Sequence, residues 1–189
     1  MPGPENCSFC RVGTYHSGEG TTAASECTLC GRGKYQTGVG QSEESACTLC
    51  HPGTYQTGRG LALATNCTKC GVGTYQTGNG MGNSSDCLPC QAGEYQTGWG
   101  IVDPEACTLC GAGSYQTGVG MATSSRCLLC GPGTYQTGQG IQTQGGCLLC
   151  EAGTYQTGSG MPDAGGCTSC SAGTYQTGVG MTSQSNCSL

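Results

Sequence analysis

The chain has 189 residues, of which only 9% are charged, and its formal net charge is −5. Typical soluble domains contain about 25% charged residues. Here 37 glycines and 19 cysteines dominate, which indicates a disulfide-stabilised scaffold and leaves too few large apolar side chains for a single packed core. No segment has the roughly 18 consecutive apolar residues of a membrane span, and the scattered cations exclude a nucleic-acid-binding surface.

All cysteines lie on two positions of a 20-residue period that has no insertion or deletion. The repeating unit is C-x-x-C-x-x-G-T-Y-Q-T-G-x-G-M-x-x-x-x-x. It predicts one continuous repeat array over residues 1–189. The units are 7–26, 27–46, 47–66, 67–86, 87–106, 107–126, 127–146, 147–166 and 167–186. Both ends are expected to be excerpts of a longer array, because Met1 shares a repeat position with Met81 and Leu189 stops one residue before the next expected cysteine.

Three elements are predicted in chain order within each unit. The run G-T-Y-Q-T-G holds β-favouring residues between glycines and predicts a strand of about four residues. The T-G-x-G step predicts a bend, because glycine adopts positive φ without penalty. The variable polar segment, such as Gln41 to Ala46, predicts an exposed return loop. Frequent glycines disfavour a helix.

The predicted fold is therefore a small disulfide-rich tandem array of about nine modules, with short β-strands or hairpins and little or no helix. We expect an extended rod or fibre, with a β-solenoid as the alternative. Each unit offers only one Tyr, one Met or Ile and usually one Leu for a core, whereas ordering the backbone costs on the order of 1–2 kcal/mol per residue. Disulfides are expected to supply the missing stability, about 3 kcal/mol for each 18-residue loop.

Two pairing schemes account for almost all cysteines. Joining the second cysteine of each motif to the first of the next leaves only Cys7, whereas pairing within each C-x-x-C leaves only Cys187. Bridged Cα atoms usually lie within about 7 Å, and this favours the first scheme because cysteines three apart in an extended chain are farther separated. It predicts bridges among Cys10, Cys27, Cys30, Cys47, Cys50, Cys67, Cys70, Cys87, Cys90, Cys107, Cys110, Cys127, Cys130, Cys147, Cys150, Cys167, Cys170 and Cys187.

The motif C-x-x-C-x-x-G-T-Y, seen from Cys50 to Tyr55 and from Cys150 to Tyr155, resembles the ephrin-receptor-like cysteine-rich repeats. The resemblance covers every unit and implies an extended, disulfide-stapled extracellular module. It also implies structural roles for the cysteines and for Gly–Tyr positions such as Gly73 and Tyr75. The stretch between cysteine pairs is longer here, with an added Q-T-G-x-G, and its length never varies.

Zinc is the main competing interpretation, since C-x-x-C pairs about 15 to 20 residues apart can form tetrathiolate sites. Such sites would use two motifs each, yet the copies show no alternation. His16 and His51 lack a partner at a repeated spacing, acidic residues such as Glu43 and Asp103 form no D-x-D pattern, and a redox C-x-x-C needs one activated thiol. We expect no enzymatic activity, no metal and no cofactor.

Four N-x-[S/T] acceptor sites make glycans a candidate modification. They begin at Asn6, Asn66, Asn83 and Asn186. Three of them have cysteine as the middle residue, so Asn83 is the favoured site.

The predicted function is that of an extracellular or cell-surface structural protein, forming a fibre, stalk or filament by end-to-end or lateral self-assembly. The alternative is an adhesion or ligand-binding ectodomain, for which residues 61–63 and Trp99 are the only hints. An ice-binding solenoid would align pairs such as Thr134 and Thr137 on a flat face. Neither nucleic acid nor membrane insertion is expected.

Overall fold

The computed structural model describes residues 8–189. They form two compact units. One contains the described residues up to Leu88 together with Gly98–Pro104, and the other contains Pro89–Thr97 and Glu105–Leu189. The predictions for Asn6 and Cys7 lie outside the described residues. Both units are built from the same repeated hairpin.

The strands are two residues long and pair into eight two-stranded sheets, so the predicted tandem array of small hairpins is confirmed. In chain order they are β1 (Thr14–Tyr15), β2 (Thr28–Leu29), β3 (Lys34–Tyr35), β4 (Thr48–Leu49), β5 (Thr54–Tyr55), β6 (Thr68–Lys69), β7 (Thr74–Tyr75), β8 (Leu88–Pro89), β9 (Glu94–Tyr95), β10 (Thr108–Leu109), β11 (Ser114–Tyr115), β12 (Leu128–Leu129), β13 (Thr134–Tyr135), β14 (Leu148–Leu149), β15 (Thr154–Tyr155) and β16 (Thr168–Ser169).

One register is kept from hairpin to hairpin. In the first, Thr14 lies opposite Leu29 and Tyr15 opposite Thr28, in antiparallel orientation. The same pairing recurs between β13 and β14. Each strand is shorter than the four residues predicted, because the glutamine after the tyrosine is buried and bonds to a neighbouring repeat instead of extending the hairpin.

The variable segment is exposed, as predicted, but it is not irregular, because it contains a single turn of 3-10 helix. These turns are Ala24–Glu26, Glu44–Ala46, Ala64–Asn66, Ser84–Asp86, Pro104–Ala106, Ser124–Arg126, Gln144–Gly146, Ala164–Gly166 and Gln184–Asn186. The next cysteine closes the turn, as where the Cys47 N–H donates to the carbonyl oxygen of Glu44 at 2.9 Å. No α-helix occurs in residues 8–189, in agreement with the glycine-rich sequence.

Nine disulfides staple the hairpins. They are Cys10–Cys27, Cys30–Cys47, Cys50–Cys67, Cys70–Cys87, Cys90–Cys107, Cys110–Cys127, Cys130–Cys147, Cys150–Cys167 and Cys170–Cys187. The observed pairs are those of the inter-motif scheme. Each bridge spans a sequence separation of 17, and Cα atoms such as those of Cys30 and Cys47 lie 5.7 Å apart, an ordinary disulfide distance.

The buried side chains are those of cysteine and glutamine, together with Thr14 and Ser114, and not the leucines that each repeat offers as apolar residues. The second cysteine of each motif from Cys30 to Cys150 is 0% exposed, and the eight repeat glutamines are at most 9% exposed. Leu29 and Leu149 are about half exposed, at 47% and 52%. A two-stranded hairpin has no second layer to cover its outer face, so its interior consists mainly of disulfide sulfur and glutamine amides. Four of these amides leave one buried polar atom without a partner, namely Nε2 of Gln56, Gln156 and Gln176 and Oε1 of Gln136.

Candidate functional site

The candidate site is the junction between successive repeats, and its central residue is the buried glutamine. Gln36 directly follows strand β3. Its backbone N–H donates to the carbonyl oxygen of Leu61, one repeat further along, at 3.0 Å. Its own backbone oxygen and side-chain Oε1 both accept from the Gly13 N–H, at 2.8 and 3.0 Å. One glutamine therefore connects three consecutive repeats.

The same contact is present in both units of the structure. The Gly93 N–H donates to the backbone oxygen and Oε1 of Gln116, at 2.9 and 2.8 Å. The Gly133 N–H donates to the same atoms of Gln156, at 2.9 and 2.8 Å. Gln136 differs, because its buried Oε1 has no hydrogen-bond partner and the Gly113 N–H bonds its backbone oxygen at 2.8 Å. The backbone part of the junction is thus kept even where the side-chain amide is turned.

The glycine that donates to this glutamine needs the freedom of a missing side chain for two reasons. Gly13 has φ +79°, in the left-handed region that residues with a Cβ atom disfavour. A Cβ atom there would also overlap the carbonyl oxygen of Gly60, which lies two repeats further along. Gly33 and Gly80 repeat this close approach. At these glycines a repeat therefore contacts both its neighbour and the next repeat but one.

A second link uses the last glycine of the T-G-x-G step, which bends the chain as predicted. The Gly60 N–H donates to the carbonyl oxygen of Cys30 at 2.9 Å, and Gly60 has φ +66°. The Leu29 side chain lies against the same glycine, where an added Cβ would be 2.5 Å from Leu29 Cδ2. The strand leucines therefore shield a hydrogen bond between repeats while they remain half exposed.

Charged groups lie at the periphery of this junction. Lys34 Nζ and Glu44 Oε1 are 2.8 Å apart, and the hydrogen bond and positive charge of Lys34 lower the pKa of the Glu44 carboxyl. The Thr22 hydroxyl donates to Glu26 Oε1 at 2.9 Å and is the main cause of a lowered pKa at Glu26. Both carboxyls are exposed to solvent. The glutamine, glycine and disulfide of the junction itself are uncharged.

The described cysteines leave no thiolate for zinc. The tightest group of metal-type ligands among the described residues consists of Cys90, Glu94 and Cys107, within 4.8 Å of one another. Its two sulfur atoms are bonded to each other. Glu94 Oε2 accepts a hydrogen bond from the Gln91 N–H at 3.2 Å. This cluster is therefore a disulfide beside one carboxylate, and tetrathiolate coordination requires reduced cysteines.

The other residues singled out from the sequence lie apart from the junction. His16 takes the repeat position of the glutamine, and its Nδ1 lies 3.0 Å from the carbonyl oxygen of Glu26. His51 and Trp99 are exposed. The Thr134 hydroxyl donates to the carbonyl oxygen of Gly131 at 2.6 Å, within its own turn.

The candidate glycan acceptors are all on the surface where they are described. Asn83 is exposed, and its Oδ1 accepts a hydrogen bond from Arg32 Nη1 at 3.3 Å. Asn66 and Asn186 are exposed as well. Their Oδ1 atoms accept from the backbone N–H groups of Leu63 and Ser183, both at 3.1 Å.

The glutamine is the junction residue that reasoning from the sequence missed. A signal for it was present, since eight of the nine copies carry glutamine directly after the tyrosine, in the constant part of the repeat. Constancy alone does not identify it, because the threonine that follows, such as Thr77, is equally constant but exposed. The glutamine is distinguished by its contact with the glycine of the preceding repeat, as between Gln76 and Gly53.

Comparison with known proteins finds no family model that matches the chain and no curated protein with significant similarity to it. Within residues 8–189, no helix has the length and apolar character needed to cross a membrane. The chain is a cysteine-rich tandem repeat with successive disulfides and paired strands.

Proposed function

We propose that the protein is an extracellular structural repeat protein, whose array serves as a stalk or filament. The observation that carries this proposal is the recurrence of one junction, made by glycine, glutamine and a disulfide, at a constant 20-residue spacing. A contact that repeats identically at every step lets an array grow by adding units without a new interface. No catalytic role is assigned to any residue.

Two observations support the extracellular location. Nine disulfides in one chain are typical of oxidising compartments, because cytosolic reductants keep thiols reduced. The C-x-x-C-x-x-G-T-Y motif resembles the ephrin-receptor-like repeats of extracellular proteins. The low charge of the chain and the polar residues of its exposed variable loops are compatible with that setting.

The order of the disulfides gives the array a property that suits a tether. Cys27 and Cys30 are separated by two residues, and each is bridged to a cysteine 17 positions away in the opposite direction along the chain. A covalent path therefore runs from Cys10 across to Cys27, along to Cys30 and across again to Cys47, bypassing every loop. A pulling force along the array is transmitted through this path, even if the hydrogen bonds of a hairpin break.

The length of that path can be estimated. Three residue steps span about 10 Å, and the bridge adds a Cα–Cα distance of 5.7 Å, which gives about 16 Å per repeat. Twenty extended residues without the bridge would span about 66–72 Å. Oxidised repeats are thus limited to roughly a quarter of the extension that reduced repeats reach.

The experiment that tests the structural role combines length and force. The chain is compared with a variant that lacks residues 67–86, one whole period, and with the same proteins after reduction and alkylation. We expect the deletion to shorten the oxidised particle by a constant increment in electron micrographs. We expect single-molecule stretching to stop near 16 Å per repeat with bridges and about four times farther without them. A deletion that unfolds the rest, or equal extension in both states, would contradict the proposal.

We further propose that identical chains associate laterally through a row of exposed leucines in the second unit. The row consists of Leu109, Leu129 and Leu149, which share one position of the repeat and are each 47% to 59% exposed. Residues 127–150 include no charged side chain, so two such rows would meet without like-charge repulsion. Two identical arrays also have the same spacing of leucines, which favours a second copy over an unrelated partner. The adhesion alternative predicts instead a ligand whose binding is lost in Trp99→Ala.

A further inference from the structure

We propose that Asn83 carries an N-linked glycan and that the disulfides keep Asn66 and Asn186 unmodified. This inference rests on the proposed extracellular location, since the transfer takes place in the secretory pathway. The three sites share the acceptor rule N-x-[S/T], and the sequence alone separates them only by the cysteine in the middle of two of them. Their geometry in the folded repeat makes the distinction physical.

Asn83 has the features of an open acceptor. It is exposed and extended, with φ −140° and ψ 154°, and it immediately precedes the 3-10 turn Ser84–Asp86. The middle residue, Ser84, is exposed and bears no covalent link. The Oδ1 atom of Asn83 accepts one long hydrogen bond from the exposed Arg32 side chain, at 3.3 Å. The backbone N–H of Asn83 donates to Asp86 Oδ2 at 2.9 Å, whereas the bond from Arg32 is the one that must break for the side-chain amide to turn outward.

Asn66 and Asn186 are held in a different way. Each is the last residue of a 3-10 turn, and its Oδ1 accepts a backbone hydrogen bond from the residue that precedes the turn. The middle residue of each acceptor site is bridged, Cys67 to Cys50 and Cys187 to Cys170. All three acceptor segments run into a 3-10 turn and must be extended for the transfer, but only at Asn66 and Asn186 does a bridge hold the middle residue beside another part of the chain.

The modification is a group transfer without redox chemistry. A bond forms between Asn83 Nδ2 and the anomeric carbon of an oligosaccharide carried on a lipid pyrophosphate. The bond between that carbon and the pyrophosphate oxygen breaks, the lipid pyrophosphate leaves, and the amide loses one Nδ2 proton. Ser85 supplies the hydroxyl that the acceptor rule requires two residues after the asparagine.

A glycan at this position also fits the surface of the array. Arg32 comes 51 residues before Asn83 along the chain, so the modified side chain would lie beside the repeat that is two before its own. A bulky polar group there adds hydration to a chain of which only 9% is charged. The junction glutamines and disulfides lie beneath the surface and remain as they are.

The test is secretion of the full chain from a eukaryotic cell, in a background with Asn6→Gln, followed by peptide mass spectrometry before and after N-glycosidase treatment. We expect one glycan per chain, at Asn83, lost in Asn83→Gln and in Ser85→Ala but kept in Asn66→Gln. Cys67→Ser preserves an acceptor site as Asn-Ser-Thr while it removes the bridge, and we expect Asn66 to become modified in that variant.

The outcomes separate the two proposals. A secreted, fully oxidised chain with bare Asn83, or with equal modification at Asn66, would overturn this inference and leave the structural role intact. Retention inside the cell with reduced cysteines would overturn both. Loss of the glycan in Ser85→Ala, a conservative surface change, shows that the effect does not come from misfolding of an Asn83 variant.

Discussion

The backbone N–H of Gly53 donates hydrogen bonds to both the backbone oxygen and the side-chain Oε1 of Gln76, at 2.8 and 2.9 Å, across 23 residues of sequence. Both residues are buried, and Gln76 is 3% exposed. The side chain of the nearby strand residue Thr74 donates instead to the carbonyl oxygen of Gly71, within its own repeat, at 2.7 Å. The glutamine side chain therefore contributes directly to the connection between repeats.

Replacing Gln76 by leucine removes Oε1 and puts an apolar side chain of similar size in its place. The Gly53 N–H then retains only the backbone acceptor, and we expect its local opening free energy to fall by about 1–3 kcal/mol. Amide hydrogen exchange at Gly53 measures this change. The control is Thr77→Ala, at the exposed residue next in sequence, which should change exchange by less than about 0.5 kcal/mol. Equal effects of the two substitutions would contradict the assigned role.

Substituting alanine for the junction glycine separates backbone conformation from close packing. Gly33 has φ +72° and a Cβ there would overlap the carbonyl oxygen of Gly80, whereas Gly153 has φ +82° with no atom within 4 Å of such a Cβ. Gly153→Ala should cost about 1–2 kcal/mol from the left-handed backbone alone. Gly33→Ala should cost more, because the overlap adds to this.

The measurement is the shift in denaturant midpoint, with all bridges intact. Gly31→Ala is the matched control in the same repeat, because a Cβ at Gly31 meets nothing within 4 Å and its φ is not in the left-handed region. If Gly33→Ala and Gly153→Ala shift the midpoint equally, the close approach to Gly80 does not matter for stability.

Removing one disulfide should loosen one hairpin and leave distant ones folded. The double variant Cys110→Ser with Cys127→Ser frees a loop of sequence separation 17 and should lose about 3 kcal/mol locally. In a repeat array, such a change lowers the stability mainly of the altered repeat and its neighbours. Limited proteolysis should therefore cut within residues 111–126 first. Reduction and alkylation of all bridges should abolish exchange protection throughout, and protection that survived would contradict the covalent account of the fold.

The ion pair between Lys34 and Glu44 predicts a pH dependence in the first unit. Because the pKa of Glu44 is lowered in the folded chain, its contribution to stability is present above the ordinary glutamate pKa of about 4.3 and is lost as the pH falls through the lowered value. An NMR titration should show the pKa of Glu44 rising in Lys34→Gln and in high salt. Lys69→Gln is the control, and an equal rise there would mean that Lys34 is not the cause.

Lateral association should depend on the leucine row. The double variant Leu129→Ser with Leu149→Ser removes two side chains that are more than half exposed, and we expect self-association to weaken about tenfold or more, from the loss of apolar burial. Sedimentation velocity over a range of concentrations measures this. Val119→Ser with Val179→Ser alters two similarly exposed side chains outside the row and should leave association unchanged. A monomeric wild-type chain at all concentrations would rule out the interface.

Most of the fold could be predicted from the 20-residue period of the sequence. Fixed spacing placed Cys30 near Cys47, and the glycines at each end of G-T-Y-Q-T-G delimited a short strand, since both effects are local. The polar loops were correctly placed on the surface. Their 3-10 turns escaped prediction because the loop residues differ between copies, while a backbone hydrogen bond such as that from Cys47 to Glu44 imposes the turn.

The composition of the interior escaped prediction for a different reason. Leucine and tyrosine were expected to be the core because they are the apolar residues available, but the two-stranded hairpins leave Leu129 59% exposed. Burial of Gln116 and its contact with Gly93 depend on how one repeat sits on the next. The pattern of hydrophobic residues along the sequence shows which face of one helix or strand is buried. An interior made of amides and disulfides produces no such pattern.

The reach of the contacts has a consequence for how the chain matures. Gly13 meets Gly60, 47 residues on, and the hydrogen bond between Arg32 and Asn83 spans 51. A newly synthesised segment of about three repeats therefore contains all the partners of these contacts and can fold before the rest of the chain has emerged. Because the junctions are so similar, two repeats could also pair in a register shifted by twenty residues, where the same glycine and glutamine would meet. If each cysteine is oxidised with the next available cysteine as the chain emerges, the disulfides would fix the correct register before a shifted one could form in further repeats.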